Sequence, residues 1–234
     1  MQIILKNNFS FVSYNFLKMI GQISVIVLSL LLCCHSNIYA QDAKRFEKEI
    51  SNYLKEDASD VPTKPILFVG SSTIRMWKDL DVYFPNKDII NRGFGGSQMS
   101  DLLYYADDLI LKYKPVKVFI YEGDNDLAAG ETAENILKET KNLVSKVKNS
   151  LPETEIVIIS AKPSLARWNL KDKYLQLNQL FEQYCEDNNR VTFASTWWIM
   201  LKDGKVRDDI FIEDGLHMNK IGYDLWAEVI GKFL

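Results

Sequence analysis

Short apolar runs that alternate with longer amphipathic segments are the feature of this sequence that most limits its fold. The runs predict strands at 66–69, 88–91, 116–121, 155–160 and 190–193. The third and fourth runs are rich in Val and Ile, which is typical of parallel strands covered on both faces. Between and around the runs, apolar residues recur with a spacing near 3.6, the period of an amphipathic helix. Helices are therefore predicted at 43–54, 100–113, 133–150, 170–188 and 220–233. This alternation predicts one α/β domain with a parallel sheet.

Residues 1–40 have the composition of an export signal. They contain no Asp or Glu, carry Lys6 and Lys18, and run apolar from residue 23 to residue 34. That run is shorter than the ~18 residues a membrane span needs, and the small residue Ala40 is a suitable cleavage position. We therefore predict a signal peptide at 1–40, a single domain at 41–234, export to the periplasm or the medium, and no transmembrane span in the mature chain.

Two features leave other interpretations of the amino terminus open. The region before the apolar run is long, so translation could begin at Met19. Cys33 and Cys34 suggest a lipid-modified cysteine, but no small residue other than cysteine precedes either of them. A lipid anchor is therefore the less favoured prediction.

Charge and cysteine content exclude several classes of protein. The chain has 28 Lys and Arg against 31 Asp and Glu, a formal net charge of −3, whereas nucleic-acid binders concentrate basic residues. Of three cysteines, only Cys185 follows residue 40, so the mature chain cannot form an internal disulfide. Cys185 lies in a helical pattern with no histidine nearby, which favours a buried structural thiol over a nucleophile.

The first candidate functional segment follows the first predicted strand. Residues 70–75 read Gly-Ser-Ser-Thr-Ile-Arg, a sharp exit from a strand into a predicted helix. A serine here, Ser72, can expose its hydroxyl while its amide points toward developing negative charge. The alternative is that Ser72 only caps the helix. The segment lacks the second glycine of G-x-S-x-G, which disfavours the nucleophile elbow of α/β-hydrolases.

The second segment follows the second predicted strand. Residues 91–97 read Asn-Arg-Gly-Phe-Gly-Gly-Ser, and closely spaced glycines let a backbone amide approach a ligand. The alternative is an ordinary flexible turn. A nucleotide site is disfavoured because neither G-K-[ST] nor G-x-G-x-x-G is present.

The third segment, residues 121–126, follows the third predicted strand and reads Tyr-Glu-Gly-Asp-Asn-Asp. The amide of Asn125 can donate a neutral hydrogen bond to an oxyanion, although an ordinary Asp/Asn turn is the alternative. The acids Glu122, Asp124 and Asp126 raise the possibility of a metal site, but their spacing does not match an EF-hand loop. We predict that no metal binds here.

The fourth segment contains the sole histidine after residue 40, His217, three residues after Asp214. A carboxylate at that spacing can reach the imidazole Nδ1 within one loop and leave Nε2 free for a serine. An exposed loop histidine without a role is the alternative.

These four segments, in this order, resemble those of the SGNH hydrolases, also called GDSL-type esterases. The resemblance spans residues 64–234. It implies a flavodoxin-like three-layer α/β/α sandwich with a five-stranded parallel sheet. One departure is visible, because Ser71 stands where the family usually has an aspartate.

The resemblance also implies an activity and the residues that carry it. Ser72 would be the nucleophile, with Asp214 and His217 completing a triad. The amides of Ser72 and Gly96 and the side chain of Asn125 would form the oxyanion hole. The implied reaction is hydrolysis of carboxylic esters, with no organic cofactor and no metal.

The substrate is the least constrained prediction, because the family acts on short-chain esters, lysophospholipids, thioesters and acetylated sugars. No long insertion suggests a lipase lid, which favours a small soluble ester or an O-acetyl group of a polysaccharide. A lysophospholipase or thioesterase, or a non-catalytic carbohydrate- or lipid-binding module, remain the alternatives. Four tryptophans suggest either a sugar platform or ordinary core packing: Trp77, Trp168, Trp197 and Trp198.

Overall fold

A five-stranded parallel sheet organises the part of the chain that the computed structural model describes, residues 42–57 and 61–234. The strands are β1 (Ile66–Gly70), β2 (Ile89–Gly93), β3 (Lys117–Tyr121), β4 (Glu155–Ile159) and β5 (Val191–Ala194). Their order is β2-β1-β3-β4-β5, the flavodoxin-like order of a doubly wound sheet. The predicted sheet is thus confirmed, with strand ends displaced by one or two residues. The predicted signal peptide at 1–40 lies outside the described residues.

Helices connect the strands and cover both faces of the sheet. They are α1 (Glu47–Glu56), α2 (Ser72–Met76), α3 (Leu80–Tyr83), α4 (Met99–Tyr104), α5 (Ala106–Leu109), α6 (Asp124–Ala128), α7 (Ala133–Ser150), α8 (Lys171–Glu186) and α9 (Lys220–Ile230). Alternate strand residues face opposite layers, as the pleat requires. Val118 and Ile120 pack with α1, α4, α5, α7 and α8, whereas Phe119 and Tyr121 pack with α2, α3 and α9. The three-layer sandwich is the predicted one.

The helix predictions succeed where a local signal sets the ends. The helix predicted at 133–150 has the observed bounds of α7, because the Thr132 side chain accepts a hydrogen bond from the Asn135 amide and caps its first turn. The helices predicted at 43–54, 170–188 and 220–233 correspond to α1, α8 and α9. All three are bordered by 3₁₀ turns, Ala43–Phe46 before α1, Trp168–Leu170 before α8 and Gly231–Phe233 after α9.

The single helix predicted at 100–113 is wrong. The segment forms α4, α5 and a 3₁₀ turn at Leu111–Tyr113, because the backbone leaves helical geometry at Tyr105 and Ile110. Tyr105 is buried and its hydroxyl donates to the carbonyl of Ala43, a tertiary contact that apolar periodicity does not report. The sequence also gave no sign of the short antiparallel hairpin β6 (Leu201–Lys202) and β7 (Lys205–Val206).

The strand order defines where a binding crevice forms. The chain passes from β1 outward to β2 and then returns to the other side of β1 to form β3, so the direction of winding reverses between β1 and β3. In sheets of this kind the crevice lies beyond the carboxyl ends of the strands at this reversal. The segments after β1, β2 and β3 all emerge there.

Most of the Trp and Cys side chains for which the sequence allowed two interpretations lie in the core. Trp77, Trp197 and Cys185 are buried, and Cys185 is a free thiol. Trp168 is half-buried and stacks on Trp197 with 6.1 Å between ring centroids, while Trp198 is 70% exposed. The four rings therefore do not form one exposed platform. Within the described residues, no helix is both long enough and apolar enough to cross a bilayer.

Candidate active site

Three side chains from distant parts of the chain form one hydrogen-bonded row at the carboxyl edge of the sheet. His217 Nε2 lies 2.9 Å from Ser72 Oγ, and His217 Nδ1 lies 2.6 Å from Asp214 Oδ2. Ser72 begins α2 directly after β1, whereas the other two lie in the loop before α9. The row has the connectivity of a nucleophile, a base and a carboxylate that orients the base.

The loop that carries the imidazole is organised by Asp214. Its Oδ1 accepts hydrogen bonds from the amides of Leu216 at 2.8 Å and His217 at 2.9 Å, while Oδ2 bonds the imidazole. Partial burial opposes ionisation of this carboxyl, but the hydrogen bonds from His217 and Leu216 outweigh it and lower the pKa of Asp214 to about 2. The carboxylate therefore stays charged at neutral pH and holds Nδ1 protonated, which leaves Nε2 as the acceptor facing Ser72.

The turn before Ser72 depends on a glycine. Gly70 has φ +129°, and a Cβ on it would lie 2.0 Å from the carbonyl oxygen of Tyr121. Ser71 occupies the N-cap position of α2, its amide donates to the same carbonyl at 3.1 Å, and its side chain makes no capping bond. The Ser72 hydroxyl faces His217, so the alternative of Ser72 as a simple helix cap is wrong.

Two backbone amides in the candidate segments after β1 and β2 are free to donate. The backbone amides of Ser72 and Gly96 have no hydrogen-bond partner within the described residues, 42–57 and 61–234. Gly96 is exposed with φ +83°, and a Cβ there would meet no atom within 4 Å. The backbone of this loop is held near β1 because the Phe94 amide donates to the Gly70 carbonyl at 2.8 Å.

The Asn125 side chain, at the start of α6, is fixed at both ends of its amide. Nδ2 donates to the Ser97 carbonyl at 2.9 Å, and Oδ1 accepts from Arg167 Nη1 at 3.1 Å. An amide nitrogen carries two protons, so one N–H of Asn125 is left for a further acceptor. Asn125 thus joins the loop after β2 to the loop after β3.

The buried acid Glu122 contacts Ser97, the residue whose carbonyl accepts the hydrogen bond from Asn125. Ser97 Oγ lies 2.9 Å from the Phe94 carbonyl and 2.6 Å from Glu122 Oε1, but a hydroxyl has only one proton to donate. When Glu122 is protonated it donates to Ser97 and Ser97 donates to the Phe94 carbonyl, so that both contacts are hydrogen bonds. Burial and the neighbouring Asp126 raise the pKa of Glu122 well above its ordinary value, which agrees with this assignment.

The three acids of the predicted turn are occupied by protein partners. Asp124 bonds Arg167 and the hydroxyls of Tyr121 and Tyr174. Asp126 accepts from the amides of Met99 and Gly123, each through one carboxyl oxygen. In the described parts of the chain, no group of three or more His, Cys, Asp or Glu side chains is arranged to hold a metal ion.

Sequence reasoning found the row and the candidate donors but missed their support. Lys162 and Arg167 follow β4 and reach the same edge of the sheet, where Lys162 is fully buried. A lysine three residues after a strand with four consecutive apolar residues was the available signal, since an unpaired buried ammonium is strongly disfavoured.

The sequence of this chain matches a family model. Residues 70–225 match the model of the GDSL-like lipase/acylhydrolase family. The chain therefore belongs to this family, as the resemblance to the SGNH hydrolases predicted, and it is a carboxylic ester hydrolase. No curated protein sequence matches the chain.

Solved structures share the fold at low sequence identity. One, from Streptococcus pneumoniae and provisionally described as a platelet activating factor, has a TM-score of 0.73 and 22% identity, covering 91% of this chain and 98% of its own. A GDSL-like lipase from Bacteroides thetaiotaomicron has a TM-score of 0.65 and 20% identity, covering 82% and 96%. A catalytic mutant of an acetylxylan esterase from Geobacillus stearothermophilus has a TM-score of 0.60 and 15% identity, covering 74% and 95%. These similarities cover 74% to 91% of this chain and show the shared fold.

Proposed function

We propose that this protein is a serine esterase that hydrolyses carboxylic esters with short acyl or O-acetyl groups. One observation carries the proposal: the same imidazole bonds Ser72 Oγ at 2.9 Å through Nε2 and Asp214 at 2.6 Å through Nδ1. This connectivity suits an imidazole that removes the serine proton while a carboxylate stabilises the imidazolium that forms.

In the acylation step, Ser72 Oγ attacks the ester carbonyl carbon as His217 Nε2 takes the hydroxyl proton. The carbonyl π electrons move to oxygen and form a tetrahedral oxyanion. Collapse of this intermediate breaks the bond to the alcohol oxygen, which leaves with the proton from Nε2. The products are the free alcohol and an acyl ester on Ser72.

In the deacylation step, water takes the place of the alcohol. His217 Nε2 removes a proton from water as the water oxygen attacks the acyl carbon and forms the second oxyanion. Collapse of this oxyanion breaks the bond to Ser72 Oγ, which takes the proton back from Nε2, and releases the carboxylic acid. In both steps the oxyanion accepts hydrogen bonds from the amides of Ser72 and Gly96 and from Asn125 Nδ2. Donors with no other partner suit this task because they need little reorganisation when charge develops.

The short-acyl assignment rests on the fold and on the polar character of the site. The acetylxylan esterase with a TM-score of 0.60 acts on acetyl groups through the same architecture. The polar groups of the candidate site are the His217 imidazole, the free amides of Ser72 and Gly96, and the side-chain amide of Asn125. Such a setting suits a small acyl group on a hydrophilic alcohol.

A series of p-nitrophenyl esters from acetate to palmitate tests the proposal with purified protein. We expect kcat/KM to be highest for acetate or butyrate and to fall with longer chains. Acetylated xylan, with release of acetate as the readout, tests the O-acetyl form. A folded protein that hydrolyses none of these esters contradicts the proposal and favours a non-catalytic binding module.

A longer acyl chain, as in a lysophospholipase, is the second candidate, and exposed apolar side chains beside the triad favour it. Leu165 and Ile212 are 45% and 44% exposed. They flank Gly215 between the two acid–base residues: the Gly215 amide donates to the Ile212 carbonyl at 3.0 Å, and Leu165 lies against Gly215. A kcat/KM that rises with chain length in the same series would select this candidate.

We also propose that the protein is exported after cleavage near Ala40, which the composition of residues 1–40 supports. Expression in a secretion-competent bacterium, followed by amino-terminal sequencing, tests this. We expect an amino terminus at or near Gln41 in the exported fraction. Retention of residues 1–40 in the cytoplasm contradicts the proposal, and a lipid on Cys33 or Cys34 would favour the anchored alternative.

A further inference from the structure

A buried carboxylate next to Asn125 is surrounded by cationic and hydroxyl groups. Asp124 is 4% exposed, and its Oδ1 accepts from Arg167 and from the Tyr174 hydroxyl. Its Oδ2 accepts from the Tyr121 hydroxyl at 3.1 Å and lies 3.8 Å from Lys162 Nζ. Although burial opposes ionisation, Lys162 and Arg167 keep the pKa of Asp124 below its ordinary value. The carboxylate is therefore charged and fully paired.

The second end of this ion pair reaches the loop of the acid–base residues. Lys162 Nζ donates to the Leu216 carbonyl at 2.6 Å, one residue before His217. The same ammonium lies 5.6 Å from the ring centroid of Phe211, which forms a β-bridge with Met218 across the base of that loop. Lys162 is fully buried, so these contacts are its alternatives to water.

These contacts connect two parts of the site that are distant in sequence. On one side, Asp124 precedes Asn125 in the chain, and Arg167 Nη1 donates hydrogen bonds to Oδ1 of both residues. On the other side, Leu216 precedes His217, and its amide bonds Asp214. A single buried ammonium thus spans from the oxyanion-donor turn to the loop of the acid–base pair.

We propose that Lys162 is a positioning residue that holds the His217 loop in register with the Asn125 turn through its contacts to Leu216 and Asp124. Lys162 touches neither substrate nor the reacting atoms. Its loss frees the Leu216 carbonyl and lets the imidazole move relative to Ser72. Since a displacement of about 1 Å in an active site can reduce turnover ~10²-fold, the effect falls on kcat. This inference rests on the proposed function for its kinetic readout.

Lys117 provides a matched control at the opposite end of the sheet. Its ammonium also joins a carboxylate, Glu155 at 3.0 Å, and a backbone carbonyl, that of Phe233. It begins β3, whereas Lys162 follows β4, so the two lysines lie at opposite edges. Lys117→Met removes a comparable pair of contacts without touching the candidate site.

The experiment compares Lys162→Met with Lys117→Met and the unmodified chain in two measurements. The first is kcat and KM for an acetate ester, corrected for the folded fraction by circular dichroism. The second is the downfield proton resonance of the His217 imidazole N–H bonded to Asp214, assigned by its loss in His217→Ala. The resonance is read without substrate, so it tests Lys162 even if the proposed activity fails.

We expect Lys162→Met to lower kcat ~10 to 10²-fold with KM nearly unchanged, and to broaden or remove the resonance. Lys117→Met should keep kcat within about twofold and keep the resonance. If the unmodified chain is active, a change in only one of the two signals in Lys162→Met, or in neither, overturns the proposal. If it is inactive, an unchanged resonance in Lys162→Met overturns the proposal. Equal loss of kcat in both variants also overturns it. Should Lys162→Met not fold, Lys162→Gln and Lys117→Gln are compared by the same criteria.

Discussion

Charged side chains differ in burial between the two edges of the parallel sheet. At the carboxyl edge, Lys162, Asp124 and Glu122 are buried and bonded to specific partners. At the amino edge, Arg190 pairs with Glu153 at 2.8 Å, but the Glu153 side chain is 83% exposed. Burying charge is costly unless each group finds its partner, whereas an exposed pair contributes little either way.

This contrast indicates that the buried charged groups at the carboxyl edge serve the candidate active site rather than the stability of the fold. A stable sandwich needs no buried ammonium at a strand end, since apolar side chains of similar volume often serve stability equally well. Two buried groups of the carboxyl edge instead bond segments of the candidate site: Lys162 bonds the Leu216 carbonyl beside His217, and Glu122 bonds Ser97, whose carbonyl accepts from Asn125. Changes at this edge should therefore alter turnover, and changes at the amino edge should alter at most stability.

Removal of the imidazole should have the largest effect. His217→Ala leaves Ser72 with no base, so kcat should fall ~10⁴ to 10⁶-fold in a steady-state assay with an acetate ester. Glu153→Gln, at the amino edge, should keep kcat within about twofold. A similar loss of kcat in both variants, or near-normal turnover in His217→Ala, would contradict the claim that only the carboxyl edge affects turnover.

Loss of the side-chain oxyanion donor should have an intermediate effect. Asn125→Ala should lower kcat ~10² to 10³-fold, or roughly 3 to 4 kcal/mol, with little change in KM, because its N–H meets an oxygen that becomes charged only during attack. Asn135→Ala, which removes an exposed amide in α7, is the matched control for folding. If KM alone rises in folded Asn125→Ala, then Asn125 binds substrate or shapes its turn rather than stabilising the transition state.

Replacement of the buried neutral acid should have the smallest effect on turnover and a distinct effect on stability. Because burial raises the pKa of Glu122, the unfolded chain ionises this group above its ordinary 4.5 while the folded chain keeps it protonated. Wild-type stability therefore falls as pH rises above about 4.5. Glu122→Gln can still donate to Ser97 but cannot ionise, so its Tm relative to wild type should increase with pH in thermal melts from pH 5 to 8. A Tm difference that stays constant or decreases across this range contradicts the assignment of a neutral Glu122.

The sequence predicted those elements whose limits are set by residues close together in the chain. The five strands and α7 follow from apolar periodicity and from the Thr132 cap. The candidate side chains lie at strand ends because the carboxyl ends of parallel strands share one edge, and the order of motifs identified them. The split of 100–113 was missed, since it depends on tertiary contacts such as that of Tyr105 with Ala43.

The supporting residues of the site were beyond sequence reasoning for a physical reason. Lys162 contacts Leu216 across 54 positions, and Glu122 contacts Ser97 across 25, so no local spacing relates the partners. The charge state of Glu122 follows from the single hydroxyl proton of Ser97, which only the three-dimensional arrangement reveals. The partners of the three acids in the turn at 121–126 were equally hidden, because Arg167, Ser97 and Met99 lie 43, 25 and 27 positions away.

The position of a covalent label left by an organophosphonate ester, mapped by fragmentation mass spectrometry, shows directly which serine is the nucleophile. One adduct per chain is expected, on Ser72, because among the described residues this is the hydroxyl that bonds His217 Nε2. Labelling should persist in Ser71→Ala and disappear in both Ser72→Ala and His217→Ala. An adduct on Ser71, or undiminished labelling and turnover in Ser72→Ala, would contradict the central claim that Ser72 is the nucleophile.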